Sequence, residues 1–106
     1  MDQNAVNTIT ASKLAHYFDL TGRALKKVKL AKEKKIDWKA NADDFLDMAT
    51  RYFNDAKHFE QKGDIVTAFA ALNYAHGWLD AGARLGLFDV DHDDTLFTVD
   101  GKPGKR

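Results

Sequence analysis

The sequence predicts an all-α protein: an up-down-up bundle of three helices, followed by a C-terminal arm that packs back on the third helix. The only proline is Pro103, so no residue from Ser12 to Leu87 forbids a helix. Apolar residues recur at helical spacing in three segments, and no strand-like alternation of useful length occurs before Asp89. The turn between the second and third segments is very short, which favours neighbouring antiparallel helices.

Length and composition are those of one small protein domain. We expect a single domain over residues 1–106, with flexible ends at 1–10 and 101–106. Sixteen basic residues balance sixteen acidic ones, which removes the simplest argument for nucleic acid or membrane as the main partner. Cysteine is absent, which excludes thiolate catalysis and Cys-based zinc sites. No apolar run approaches the ~20 residues of a membrane span, and we expect a cytoplasmic protein.

The first helix is predicted to begin near Ser12, with Thr10 as the alternative N-cap. Its apolar stripe recurs at about 100° per residue and consists of Leu14, Tyr17, Phe18, Thr21, Leu25 and Val28. The stripe continues weakly towards Ile36. A longer polar connection follows, roughly from Glu33 to Asn41, and Trp38 within it is expected to cover one end of the core.

The second helix has the clearest amphipathic pattern. Asn41 is its predicted N-cap, and Asp43 and Asp44 suit the positive end of the helix dipole. The apolar face consists of Phe45, Met48, Ala49, Tyr52, Phe53, Ala56 and Phe59. Gly63 is predicted to end the helix, because glycine readily adopts the left-handed conformation of a C-terminal cap.

The third helix is predicted to run from an N-cap at Asp64 to Gly86. Its main apolar face consists of Ile65, Ala68, Phe69, Leu72, Ala75, His76, Leu79 and Ala83. A second apolar strip, displaced by ~100°, consists of Ala71, Tyr74, Trp78, Gly82 and Leu85. Gly82 and Gly86 are interpreted as spacers for close helix packing.

Gly77 lies away from both apolar strips, although a glycine inside a helix costs roughly 1 kcal/mol relative to alanine. Core packing does not explain it. The sequence therefore predicts either that another element crosses the helix at Gly77 or that the helix bends there. The candidate element is the C-terminal arm, Leu87 to Val99, which is expected to fold back on its own helix, with docking on a second copy as the alternative.

Polar side chains also follow one flank of the third helix. His76, Asp80 and Arg84 are spaced by one turn each and can face one another. We favour an ion-pair ladder. The alternative is a small-ligand pocket with Tyr74 or Tyr52 nearby, which an open cavity beside His76 would support. Catalysis by His76 and Asp80 is the least favoured reading, since no nucleophile is visible.

Charges are unevenly distributed along the chain. Eight basic residues against two acidic ones lie between Arg23 and Lys39. A solvated helix end is favoured here, and a nucleic-acid-binding patch is the alternative. The predicted patch consists of Arg23, Lys26, Lys27, Lys29, Lys34 and Lys35. Six aspartates against one arginine lie between Asp80 and Asp100, and opposite patches favour head-to-tail self-association or complementarity within the chain.

The acidic arm partly matches the template of a calcium-binding loop. Asp89, Asp91, Asp93 and Asp100 occupy positions 1, 3, 5 and 12 of that template, but the glycine required at position 6 is Asp94. His92 with these carboxylates could hold a transition metal only weakly. Asp89, Asp91 and Asp93 are therefore weak metal candidates, and we expect neither a metal nor a cofactor.

The stretch from Tyr52 to Val90 resembles an archaeal family called domain of unknown function 357. The likeness rests on the Gly63-Asp64 turn and on a Tyr-Ala-x-Gly-Trp-Leu-Asp-Ala-Gly signature. Here the signature is Tyr74, Ala75, Gly77, Trp78, Leu79, Asp80, Ala81 and Gly82. The resemblance implies an archaeal three-helix bundle and supplies no reaction or catalytic residue. A single helix hairpin with spaced small and aromatic residues is also weakly similar to tetratricopeptide repeats, which favours protein binding.

These observations favour a non-enzymatic protein-binding or assembly module, with self-association as a homodimer among its possibilities. The predicted binding surface consists of Tyr74, His76, Gly77, Trp78, Asp80 and Arg84. Nucleic-acid binding through Arg23–Lys39 and small-ligand binding or catalysis at His76 and Asp80 remain the alternatives.

Overall fold

The computed structural model describes residues 7–97, and these residues form three α-helices and no strand. The helices are α1 (Ala11–Lys27), α2 (Trp38–Gln61) and α3 (Ile65–Leu85). The predicted all-α class is confirmed. The chain divides into two compact units, Met1–Lys35 and Ile36–Arg106, and the gathering of all three helices into one domain stays a prediction. The ends predicted to be flexible lie mostly outside the described residues.

Helix α1 begins at the alternative cap rather than at Ser12. The Thr10 hydroxyl accepts a hydrogen bond from the Lys13 backbone N–H at 3.1 Å, which satisfies one of the free donors of the first turn. The helix ends at Lys27, and residues 28–37 are not helical. None of its 17 residues is buried, as is expected of one helix taken by itself.

Helix α2 begins earlier than the sequence indicated. Asp37, not Asn41, is the N-cap, and its carboxylate accepts a hydrogen bond from the Ala40 N–H at 3.0 Å. An ionised carboxylate at this position also meets the helix dipole. Asn41 instead donates its side-chain amide to the Asp37 carbonyl at 2.7 Å. Trp38 is consequently the first helical residue and is 60% exposed, so the expectation that it covers the core was wrong.

The turn between α2 and α3 follows the prediction. Gly63 has φ of 82°, and the N–H groups of Gly63 and Asp64 donate to the carbonyls of Glu60 and Phe59. This pair of hydrogen bonds closes the helix end in a Schellman motif. The Asp64 side chain then caps α3 by accepting from the Thr67 N–H at 3.1 Å. Three residues thus reverse the chain and make α2 and α3 an antiparallel hairpin.

Small residues form the contact between α2 and α3. The buried residues of these helices are Ala49, Ala56, Ala68, Ala71, Ala75 and Gly82. Large residues predicted for the core lie outside this seam: Phe69 is 65% exposed, Ile65 54% and Phe53 47%. Two helices alone cannot enclose a side chain on all sides, so only the residues on the line of contact are buried.

The C-terminal arm packs back on α3, as predicted. Gly86 has φ of 83°, and the N–H groups of Gly86 and Leu87 donate to the carbonyls of Ala83 and Gly82, forming a second Schellman motif. Leu87 is 6% exposed, and the Phe88 ring lies against Gly82. Gly86 therefore caps the helix, and Gly82 leaves room for the Phe88 ring. The interpretation of both glycines as spacers between packed helices was wrong.

Candidate functional site

The two sides of the α2–α3 hairpin differ in how their large side chains are arranged. On one side, aromatic rings from both helices contact one another edge to face. We call this side the aromatic flank, and it consists of Phe45, Tyr52, Tyr74 and Trp78. The centroid distances are 5.0 Å for Phe45–Trp78, 4.5 Å for Tyr52–Tyr74 and 6.5 Å for Tyr74–Trp78.

The aromatic flank contains two residues of the predicted binding surface, Tyr74 and Trp78. Its T-shaped contacts place the positive edge of one ring on the negative face of the next, a favourable geometry for aromatic pairs. Trp78 is half-buried, whereas Tyr74 is 54% exposed. The neighbouring rings of Phe45 and Tyr74 therefore cover part of Trp78, whereas Tyr74 itself stays accessible to solvent.

The other side of the hairpin holds an open groove of about 700 Å³. Its walls come from both helices and are mostly apolar. They consist of Leu46, Ala49, Thr50, Phe53, Phe69, Leu72, Asn73, Ala75, His76 and Leu79. Phe53, Phe69, Leu72 and Leu79 were predicted to be core residues, and in the structure they form part of the groove wall. The periodicity of one helix could not reveal this groove, because its position depends on where the second helix lies.

His76 is a titratable residue at the wall of the open groove, where the arm reaches α3. Its Nε2 lies 2.5 Å from the Leu96 carbonyl oxygen, and a carbonyl can only accept, so Nε2 donates. The same nitrogen is 3.7 Å from Asp80 Oδ1. The ring also lies 6.3 Å from that of Phe97, measured between centroids. His76 therefore acts structurally as an anchor for the end of the arm.

The other members of the predicted binding surface on α3 are Gly77 and Arg84. Arg84 is exposed in the last turn of α3. At Gly77, an added Cβ would meet no described atom within 4 Å, apart from those of its chain neighbours and its own helix. The described part of the arm, residues 87–97, contacts α3 at His76 and Gly82, and none of its atoms lies within 4 Å of the place that a Cβ would take at Gly77. A shallow depression of about 340 Å³ adjoins Gly77 and is lined by Phe45, Asn73, Tyr74, Gly77, Trp78 and Ala81.

The basic segment is divided between a helix end and a non-helical stretch. Arg23, Lys26 and Lys27 lie in the last turns of α1, and Arg23 is paired with Asp19 at 3.0 Å. The other predicted members, Lys29, Lys34 and Lys35, follow in the exposed segment 28–37. Lys39 is the second residue of α2, and its Nζ lies 2.8 Å from the Asp43 carboxylate. The hydrogen bond and the charge of Asp43 both raise the pKa of Lys39.

The aspartates of the arm form turns. Asp89 Oδ1 accepts from the Asp91 N–H at 3.0 Å, and Asp93 Oδ1 accepts from the N–H groups of Thr95 and Leu96 at 2.9 and 3.0 Å. Such turns are a common use of aspartate side chains. Among residues 7–97, no three His, Asp or Glu side chains are grouped as metal ligands would be. Asp100, the twelfth position of the calcium template, lies outside the described residues.

Comparison with known proteins places the chain in a family. No curated protein matches it, and no solved structure matches it. One family model matches residues 16–88, more than half of the chain. The match includes most of α1, the Gly63-Asp64 turn, the aromatic flank and Phe88 of the arm. The chain therefore belongs to the family described as Protein of unknown function (DUF357).

Proposed function

We propose that this chain is a small protein-binding module that accepts the apolar face of a partner helix in the open groove. The observation that supports this proposal is the exposure of large apolar side chains along the groove. Phe53, Phe69 and Leu72 are 47%, 65% and 43% exposed and lie side by side on one concave surface. Contiguous exposed apolar surface of this kind marks interaction sites in proteins.

The shape of the groove favours a helix as its occupant. Two antiparallel helices leave a channel along their line of contact, and a third helix can place residues spaced by three and four positions into it. From Phe69 to Leu79 the wall extends by about 15 Å, or nearly three helical turns. Thr50 and Asn73 add polar groups that can fix the orientation of the bound helix.

Photo-cross-linking tests the proposal. A photoreactive phenylalanine analogue would replace Phe69 in the groove and, as a matched control, Asn54 on the exposed polar face of α2. We expect discrete protein adducts in cells from position 69 and none from position 54. The same adducts at both positions, or none at position 69, would contradict the proposal.

A second candidate function is the binding of a small apolar ligand in the same groove. The groove lies beside His76, and its volume of about 700 Å³ falls within the usual range of ligand sites. Catalysis gains no such support, because His76 is the only titratable residue among the groove's lining residues. Titration with a fluorescent apolar probe tests this candidate. We expect the unmodified protein to enhance the fluorescence of the probe. Phe69→Asp should abolish this enhancement, and Asn54→Asp should retain it.

None of the helices in residues 7–97 is long and apolar enough to cross a membrane. The archaeal source and the cytoplasmic location stay predictions. Nucleic-acid binding through the basic segment also stays a prediction. Retention of the protein on RNA or DNA at low salt, lost as salt rises, would support it.

A further inference from the structure

A second, smaller depression lies on the side of the hairpin that carries the aromatic flank. It has a volume of about 320 Å³ and shares no lining residue with the open groove. All of its lining residues belong to α2 and α3, within one compact unit. Its large side chains are three aromatic rings and one carboxylate, namely Tyr52, Asp55, Phe59 and Tyr74. We call it the Asp55 depression.

The aromatic side chains of the Asp55 depression come from both helices and stand at an angle to one another. The rings of Tyr52 and Tyr74 are 4.5 Å apart between centroids and inclined by 73°, so they form a corner instead of a flat stack. Asp55 and Phe59 follow Tyr52 on the same face of α2, because positions three, four and seven apart share a face of a helix. Several aromatic rings around one depression are the arrangement that attracts organic cations, through the negative faces of the rings.

The carboxylate of Asp55 distinguishes this depression from a purely apolar one. Two other aspartates of α2, Asp43 and Asp47, each pair with a cation one turn away at 2.8 Å. No cation within residues 7–97 pairs with Asp55, since Arg51, the basic residue one turn before it, is the one that pairs with Asp47. A cation from a binding partner would therefore meet a carboxylate and aromatic rings in the same place.

The charge of this part of the chain also favours a cationic ligand. Residues 36–97 carry five Lys and Arg against twelve Asp and Glu. Such an excess attracts positively charged partners and speeds their association. The rings beside Asp55 also exclude part of the surrounding water, so a cation held there is screened less than one bound at an ordinary surface aspartate.

We propose that the Asp55 depression binds the guanidinium group of an arginine side chain presented by a partner protein. A guanidinium is planar and weakly hydrated, so it can lie on an aromatic ring and donate two parallel hydrogen bonds to a carboxylate. A lysine ammonium is a compact, strongly hydrated point charge and makes less use of the rings.

A partner protein fits the Asp55 depression better than a free small molecule does. The depression is small and open, so it cannot enclose most of a free ligand, as small-molecule sites do. An arginine on a protein needs no such enclosure, because the partner's surface around it adds further contacts with the hairpin. The site is separate from the open groove and does not depend on the function proposed for that groove.

NMR titration of the full chain tests the proposal with a small probe, the acetylated and amidated tripeptide Ala-Arg-Ala. We expect a dissociation constant on the order of a millimolar, since one side chain supplies little binding energy by itself. The chemical-shift changes should centre on Tyr52, Asp55, Phe59 and Tyr74. The lysine tripeptide should bind about threefold more weakly or less. The norleucine tripeptide, which keeps an aliphatic chain and lacks the charge, should cause no comparable change.

Substitutions identify which groups hold the probe. Asp55→Asn removes the charge with little change of shape and should raise the dissociation constant about threefold to fivefold, the range of an exposed ion pair. Asp47→Asn is the matched control, because it removes the same charge from an aspartate that does not line the depression. Tyr74→Leu should weaken binding about threefold through loss of the ring, and Tyr74→Phe should retain it. The NMR spectrum of each variant shows whether it is folded, and Asp55→Asn decides the matter if Tyr74→Leu is not.

Three results would overturn the arginine site. One is an absence of shifts at the lining residues with the probe at about 10 mM, well above the expected dissociation constant. Another is equal binding of the arginine tripeptide and either of the other two, which would mean that the guanidinium is not recognised. The third is an equal effect of Asp55→Asn and Asp47→Asn, which would assign binding to overall charge. The function proposed for the open groove fails separately, through the cross-linking result.

Discussion

The aromatic flank and the open groove flank the same pair of helices, yet they handle large side chains differently. On the flank, Trp78 fits against Phe45 of the facing helix at 5.0 Å, so the rings cover one another. In the groove, Phe53 and Phe69 stay 47% and 65% exposed because nothing in the hairpin covers them. Apolar residues with similar periodicity can therefore cover one another on one side of a hairpin and stay exposed on the other.

The largest expected effect is a difference in unfolding free energy between a substitution on the aromatic flank and one in the open groove. We expect Trp78→Ala to lower the free energy of unfolding by about 2–4 kcal/mol, since it removes two aromatic contacts and leaves a cavity. Phe69→Ala should change it by no more than about 0.5 kcal/mol, as for other exposed positions. Urea unfolding at low protein concentration, where association contributes little, measures both. Equal losses would show that the groove is also part of the folded core.

Two glycines of α3 give the next largest contrast. The Cβ of alanine at Gly82 would collide with the Phe88 ring, so Gly82→Ala should displace the arm and lower stability by about 1–3 kcal/mol. Gly77 has open space around it, so Gly77→Ala should raise stability by about 0.5–1 kcal/mol through better helix propensity. Thermal unfolding compares the two variants. A loss of stability at Gly77 would reveal a packing role that its open surroundings do not indicate.

The anchor of the arm should have a smaller and more local effect. His76→Ala removes the hydrogen bond to the Leu96 carbonyl, a loss of about 1 kcal/mol. We expect faster hydrogen exchange of backbone amides at residues 93–97, with α2 little changed. His92→Asn is the control, because His92 is exposed with φ of 55° and asparagine tolerates this backbone conformation. Unchanged exchange in His76→Ala would show that Leu87 and Phe88 hold the arm without His76.

The smallest effect concerns the exposed ion pair between Lys39 and Asp43 at the start of α2. It shows how little a polar surface contact contributes to stability compared with the two apolar sides. Asp43 raises the pKa of Lys39, so Asp43→Asn should lower that pKa towards the ordinary value of 10.5. A raised lysine pKa contributes stability that is present below the unfolded-state pKa and is lost as pH rises through the folded-state pKa. Any effect on unfolding is therefore confined to alkaline pH and is weak for an exposed pair. NMR titration of the Lys39 side chain measures the shift, with Asp47→Asn as the control.

Much of the helical framework could be predicted from local sequence signals. Asp64, Gly63 and Gly86 mark helix ends through capping chemistry that involves only neighbouring residues, and the structure has them as expected. The start of α2 was misplaced because Asp37 and Asn41 are both good N-caps and local preference does not separate them. The surface around Tyr74, Gly77 and Trp78 stays a predicted binding surface.

By itself, the sequence determined the helical class, the short reversal at Gly63 and an arm that returns to α3, because capping and helical periodicity act over a few residues. Only the tertiary structure decided which apolar residues are buried. Periodicity shows that Leu72 and Ala75 share a face of α3, but the position of α2 decides that the alanine is 5% exposed and the leucine 43%. Gly82 is a second example. A side chain at this position would collide with the ring of Phe88, which becomes evident only when the chain folds back six residues later.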